Sequence, residues 1–530
     1  AALGALAVIG TVIPGSSILF VGGVLIGLDA LNPWWTVIAA GLARYWATAS
    51  NRKSGRADPL IVWLSSKVQC MLSGRAYAVA ASTALFVGCT SYSPSPIDSE
   101  AMDNALTAPD KAMLSARAGK LCHPRMAPIT LDFSRPLTAD ELAVIAVLVN
   151  PDLKATRAKL GVAEAQVFEA GLLPDPTLAI GLDHPTSSQP GLVSAFNFGV
   201  SWDILGLVTR RAARRGAQAR RLQVRDDVAW NEWMVANQTR QIAYRIAYLQ
   251  VQYDIASGAA DTASRLLESS RRNLERRDIT IDAFSLREVA YLDARDKALA
   301  LARTLEKARQ DLNRNLGLPP AEVVLLAKPA NLDNLPIDSS ALFDIARNHR
   351  LDLVALRAGY LAQGYRLQRD LLARFPQFNL GLNRARDTGD VSTIGFSVGI
   401  SLPIFNGGRG AVAIGRATRE QLRAEYEARL FQTRSDIATL VADIEFIDHE
   451  IEPLNRQLPD LQRAEAVMRG ALARGDVTAI TYQTVQSNLL ALRLKLSSLE
   501  QARAEQQVAL QLATGAPWNT KESACEPYSS

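Results

Sequence analysis

Phe196-Asn197-Phe198-Gly199-Val200-Ser201-Trp202 alternates large apolar residues with small or polar ones at every second position. In an extended chain successive side chains point to opposite faces. This run therefore predicts a strand with one apolar face and one small, polar face. Thr177-Leu178-Ala179-Ile180-Gly181-Leu182 precedes it in the same pattern, with Pro185 to Gly191 as the loop between the two. Further along, Gln377-Phe378-Asn379-Leu380-Gly381-Leu382-Asn383 and Ile394-Gly395-Phe396-Ser397-Val398-Gly399-Ile400-Ser401 repeat the arrangement around Asp387-Thr388-Gly389-Asp390. Alternation of this kind is the signature of a membrane β-strand, weak for one segment and stronger when four share it.

The two strand pairs belong to a duplication. At an offset of 200, Asp152-Leu153 matches Asp352-Leu353, Pro176 matches Pro376 and Gly181-Leu182 matches Gly381-Leu382. The register continues through Phe196/Phe396, Gly199/Gly399, Ser201/Ser401 and Ala217/Ala417. The shared Pro, Gly and Phe positions fall at the same structural transitions, so the repeat is a duplicated half-domain and not a short solenoid unit. Each copy predicts a helix over about 138–172 or 340–373, then the strand pair. A very long helix follows over about 207–275 or 411–474, and a returning helix over about 283–316 or 479–514. Some 65 helical residues would extend roughly 100 Å. Leu305, Ala308, Leu312 and Leu316, and Leu492, Leu496 and Leu499, recur at three-to-four spacing, which makes a coiled-coil-like seam. Gly317 with Pro319, and Gly515 with Pro517, stop the two returning helices.

Four strands cannot close a barrel, and open strand edges in lipid leave backbone groups unpaired at several kcal/mol each. Two copies would give a narrow eight-strand barrel; three copies give twelve strands, and the long helices then pack side by side into a hollow cylinder. At least a trimer is expected.

From about residue 137 to 517 the chain resembles the TolC-type outer-membrane efflux family. The residues that carry the resemblance are Asn150-Pro151-Asp152-Leu153, Gly171-Leu172-Leu173-Pro174-Asp175-Pro176, Ser401-Leu402-Pro403-Ile404-Phe405-Asn406-Gly407-Gly408 and the tip around Gly475-Asp476-Val477-Thr478. The resemblance implies an α+β membrane protein, a homotrimer whose chains each give four strands to a shared twelve-strand barrel above a periplasmic α-barrel of long helices. It implies work with a periplasmic adaptor protein and an inner-membrane efflux pump, exporting drugs or metal ions, without a cofactor and without catalysis. Family tunnels are often constricted by acidic residues just beyond the tip glycine, where this chain has Thr481 and Thr484. The remaining candidates near the tips are Arg277, Asp278 and Asp282 in the first copy, and Gly475 and Asp476 in the second. The copies differ most here, since Arg277 stands where the second copy has Gly475.

The first efflux repeat covers 137–320 and the second 337–517, with an N-terminal extension over 89–136 and a tail over 518–530. Residues 1–50 resemble the start of a DedA-type inner-membrane protein, and 1–70 reads as a fused or over-extended apolar fragment. Met71, Arg75 and the apolar run 76–87 read as a secretory signal over 71–88. Leu85-Phe86-Val87-Gly88-Cys89 resembles a bacterial lipobox, which implies lipidation at Cys89; the alternative is an unmodified cysteine ending an apolar helix. Thr90 after it implies sorting to the outer membrane.

Hydrophobic residues make up 48% and charged ones 21%, which excludes a disordered chain. A net charge of +5 does not by itself imply nucleic acid. Arg210, Arg211, Arg214, Arg215, Arg220, Arg221 and Arg225 form a basic run without the compact base-reading domain that nucleic-acid recognition needs. It reads as a solvated helix face with intersubunit ion pairs, or as a contact with anionic lipid or polysaccharide at the barrel rim. Cys122-His123 with Met126 has soft-metal chemistry, but the chain holds only four His and six Met, too few for a relay. Cys122 and Cys525 lie outside the repeats and are candidates for a disulfide in an oxidising compartment. The competing function is a periplasmic coiled-coil scaffold or adhesin without a pore.

Overall fold

The structure is a computed structural model and describes residues 93–517 apart from Ser188, 329–331 and 333–337. The expected DedA-like fragment, signal sequence, Cys89, Cys525 and the tail lie outside the described residues. The chain divides between Ile97 and Asp98; of the first unit, 93–97 is exposed chain without regular structure.

Two short helices, α1 (Ser99–Ala105) and α2 (Lys111–Ala118), precede the first repeat. That repeat comprises α3 (Ala139–Val149), α4 (Pro151–Gly171), β1 (Thr177–Asp183), β2 (Ala195–Asp203), α5 (Ile204–Glu275) and α6 (Ile281–Asn315). The second comprises α7 (Ser339–His349), α8 (Leu351–Leu372), β3 (Gln377–Arg386), β4 (Ser392–Ser401), α9 (Arg409–Arg474) and α10 (Ala479–Thr514). The sequence predicts one helix ahead of each strand pair, and the structure has two. Asn150 ends α3 and caps α4, its side chain accepting from the Leu153 backbone N–H. Pro151 then starts α4, where its missing N–H costs nothing. The second break falls at Arg350 without a proline. Its extended backbone is held by a guanidinium that bonds Asp352 at 2.8 Å and lies 4.7 Å above the Trp230 ring.

The 72-residue α5 would extend about 110 Å. The 66-residue α9 is continuous through Pro453 and Pro459, each of which removes one backbone hydrogen bond. Because α5 packs against α4, α8, α6 and α10, and α9 against α8 and α10, the helices form a row. It runs α4–α5–α8–α9 beside the strands and α6–α5–α10–α9 toward the tips.

The core sits at the waist of this row. There α2 and α3 cover the middle of α5 and the end of α6 through Leu114, Leu142, Ile246, Leu305 and Leu312. In the second repeat α7 covers α9 and α10 in the same way through Leu342, Ile437, Val441 and Leu510. Arg240, 1% exposed, ties the copies together: it donates to Asp140 at 2.7 Å and to Gln511 of α10 at 2.5 Å. The chain from Leu137 pairs with the strand-like segment around Leu326, and these segments with α2, α3 and α7 make up a collar at the waist.

Candidate functional site

The four strands form one antiparallel sheet in the order β1-β2-β3-β4. The register sets Leu178 opposite Val200, Val200 opposite Leu382 and Leu382 opposite Phe396, so the large residues share one face. Gly181, Asn197, Ala385 and Thr393 belong to the other, as do Gly199, Asn383 and Gly395. A Cβ at Gly381 would lie 2.6 Å from the Ser397 Oγ and 3.3 Å from the Val200 carbonyl, so this second face has little room for side chains. The first face is bare: Ile180 is 69% exposed and Phe396 65%. No strand residue joins a buried cluster among the described residues. An apolar face this large needs cover by something other than water. The outer edges of β1 and β4 have no partner strand within the described chain. The helices that end the row are also apolar and exposed. Val162 and Phe168 lie on α4 and Leu286 and Val289 on α6, against Ile414, Phe431, Phe446 and Val467 on α9.

At the far end of the row, both tips close with the same backbone. Arg277 and Gly475 adopt left-handed φ values of 65° and 81°. In each, the next N–H reaches back five residues, Asp278 to Asn273 and Asp476 to Ala471. These are Schellman closures, which favour glycine at the left-handed position. The expected difference between the copies therefore lies in the side chains and not in the turn. Asp282 stands in the first turn of α6. Thr481 and Thr484, the uncharged tip candidates, spend their groups locally. Thr478 caps α10 by accepting from the Thr481 N–H, and the Thr484 hydroxyl donates to the Ile480 carbonyl. Asp476 pairs with Arg474 at 2.8 Å.

Residues 342–516 match the family model described as outer membrane efflux protein. No curated protein matches the chain. Among solved structures, the outer membrane protein VceC of Vibrio cholerae is 17% identical with a TM-score of 0.60, over 72% of this chain and 97% of VceC. The CmeC outer membrane channel of Campylobacter jejuni is 14% identical with a TM-score of 0.61, over 72% of this chain and 87% of its own. The MtrE outer membrane channel of Neisseria gonorrhoeae in its open state is 18% identical with a TM-score of 0.60, over 72% and 89%. This is the fold of the TolC-type outer-membrane efflux channels.

Within the TolC-type frame, one tip feature was not foreseen. Tyr482 of α10 donates to Glu465 of α9 at 2.8 Å, and Arg469 closes on the same carboxylate at 2.6 Å. Burial opposes ionisation of Glu465, but the hydrogen bonds from Arg469 and Tyr482 outweigh it and hold the carboxyl below its ordinary range. Aligning the tips at an offset of 198 puts Leu267 and Phe284 in these places in the first repeat. The signal was legible as an acid and a phenol replacing two apolar residues.

The Cys122-His123 pair sits in the collar of the TolC-type body. Both His123 nitrogens are engaged: Nδ1 accepts from the Arg125 N–H at 3.0 Å, and Nε2 lies 3.0 Å from the Ala229 carbonyl, to which it donates. The ring stacks on Trp233, and burial lowers its pKa to about 4. Neither nitrogen has a lone pair left for a metal. Cys122 is disulfide-bonded; the other cysteines lie outside the described residues.

Proposed function

We propose that three copies of this chain close into one duct, the outer-membrane exit component of a tripartite efflux system. The observation that carries this reading is the sheet: an apolar face, a face of Gly, Asn and Ser, and two unpaired edges. Joining β4 of one copy to β1 of the next satisfies the edges. Three copies of four strands give twelve, with the small face inward and the apolar face toward lipid. The same joint sets α9 against the next copy's α4 and α6, burying the exposed Phe, Val and Leu residues on both.

The duct is passive. Transport energy comes from an inner-membrane pump reached through a periplasmic adaptor. Its cargo class is drugs or metal ions. The tips, with Asp278, Asp282, Asp476 and the Glu465–Tyr482 pair, are the proposed gate. A lipid anchor at Cys89 and a Cys122–Cys525 disulfide complete the reading.

The test is to express the full chain in a host lacking its own exit duct. A heat-modifiable trimer in the outer-membrane fraction, single-channel conductance and restored export are expected. A trimer that never conducts supports the pore-free scaffold instead.

A further inference from the structure

Three arginines near the barrel rim have no role in the duct as described. Of the basic run on α5, Arg210 donates to the Gly171 carbonyl, Arg220 to Gln223, Arg225 pairs with Asp226, and Arg221 is half-buried further down the helix. Arg211, Arg214 and Arg215 are exposed and make no ion pair among the described residues. With Leu207, Arg210 and Gln218 they line a cleft of about 450 Å³. Positions 211, 214, 215 and 218 are spaced i, i+3, i+4, i+7 and share one helix face.

That face is not a subunit joint. On one flank α5 meets α8, where the Gly216 Cβ position is 3.4 Å from the Tyr365 Cβ and Ala212 and Ala219 are buried. On the other it meets the end of α4 and the segment after it, where the Gly206 Cβ position is 3.2 Å from Pro174. Both flanks are filled within the same chain, so the ring proposed above has no subunit joint on this face. At 100° per residue, the two flanks are separated by roughly 115° on one side of the helix and roughly 245° on the other. In the closed ring proposed above the neighbouring helices lie toward the axis, so the wide arc faces outward. Arg211, Arg214 and Arg215 fall within that wide arc.

Their height fits the membrane surface. Arg211, Arg214 and Arg215 are eight, eleven and twelve residues beyond Asp203, the last residue of β2, or about 12, 17 and 18 Å along the helix. Helical side chains lean toward the N-terminus, here toward the strands. The headgroup layer is about 5–8 Å thick on each side of the hydrocarbon, so flexible stems bring the Arg211 guanidinium into it and those of Arg214 and Arg215 to its periplasmic edge. Val208, 54% exposed, stands above the arginines. At an offset of 200 the second repeat has Ala411, Ile414 and Gly415, so the fold does not require charge here.

We propose that Arg211, Arg214 and Arg215 clamp the phosphate of an anionic phospholipid in the periplasmic leaflet of the outer membrane. Guanidinium binds phosphate oxygens bidentately, and the bare arc leaves the donors free to do so. The proposal rests on the outer-membrane reading above.

The test uses the full chain purified in detergent and stripped of lipid, titrated with phosphatidylglycerol or phosphatidylcholine, with lipid retention as the readout. Wild type should retain phosphatidylglycerol selectively and lose it in high salt. R211Q/R214Q/R215Q should bind it on the order of 100-fold more weakly, since each of the three surface basic residues contributes about fivefold. R220Q, on the narrow arc, should behave as wild type. Equal retention by wild type and the triple variant overturns the clamp, as does retention unaffected by salt or competed away by millimolar inorganic phosphate. Conductance is recorded on the same samples. A protein that conducts without lipid selectivity overturns the clamp alone, and one that never inserts overturns the channel reading.

Discussion

His123 shows how one buried side chain couples the collar to pH. Its folded pKa is about 4 because burial disfavours the charged ring, against an ordinary value of 6.5. The folded form therefore resists protonation that the unfolded chain accepts. The cost is negligible above about pH 7, grows as pH falls below 6.5 and is complete below 4. Between pH 7 and pH 5 it amounts to about 2 kcal/mol per chain. His123→Gln keeps a donor and an acceptor but cannot titrate. The expected outcome is a thermal midpoint in detergent that falls less for the variant than for wild type across this range. Parallel slopes would remove His123 as the cause. The sequence suggested metal chemistry at this pair because it cannot reveal that the Arg125 N–H and the Ala229 carbonyl occupy both nitrogens.

At the scale of elements, the two hairpin tips form a natural comparison. The same Schellman turn is built once with Gly475 and once with Arg277. A left-handed conformation costs a residue with a Cβ about 1–2 kcal/mol relative to glycine. Arg277→Gly should stabilise the first hairpin by about 1 kcal/mol, and Gly475→Ala should destabilise the second by a similar amount. A Cβ at Gly475 meets nothing within 4 Å, so the second effect isolates backbone strain from crowding. Amide exchange at 271–278 and 469–476 measures both. Much of this level was legible in the sequence. Alternation gave the four strands, three-to-four spacing gave the seams, and Gly-then-Pro signals gave the helix ends. The break at Arg350 was not legible, because it depends on Trp230 and Asp352, one of them 120 positions away in the chain. Nor did periodicity reveal that α9 runs unbroken through Pro453 and Pro459.

For the molecule as a whole, the exposed residues at the two ends of the helix row are the surfaces on which the proposed ring would close. A charge placed on one end meets an apolar surface on the next copy and must be buried unpaired. Phe431→Glu or Phe168→Glu should therefore leave a folded chain with native helix content that no longer forms the heat-modifiable trimer. Phe431→Leu should assemble normally. A trimer unaffected by both Glu variants would place the joint elsewhere. The four strands and their two open edges were legible from strand counting alone, whereas which helices end the row was not, since that order depends on contacts between distant repeats.

Because α5 touches both repeats, half the joints of the proposed ring are made inside a chain and half between chains. The inner joints form by a first-order process that dilution leaves untouched. The outer ones need an encounter, so their population depends on protein concentration. A chain newly arrived and alone would hold a complete collar but an unclosed, lipid-seeking sheet. In the proposed ring, pore formation would be tied to local crowding of the chain at its membrane, and a solitary copy could not puncture the barrier.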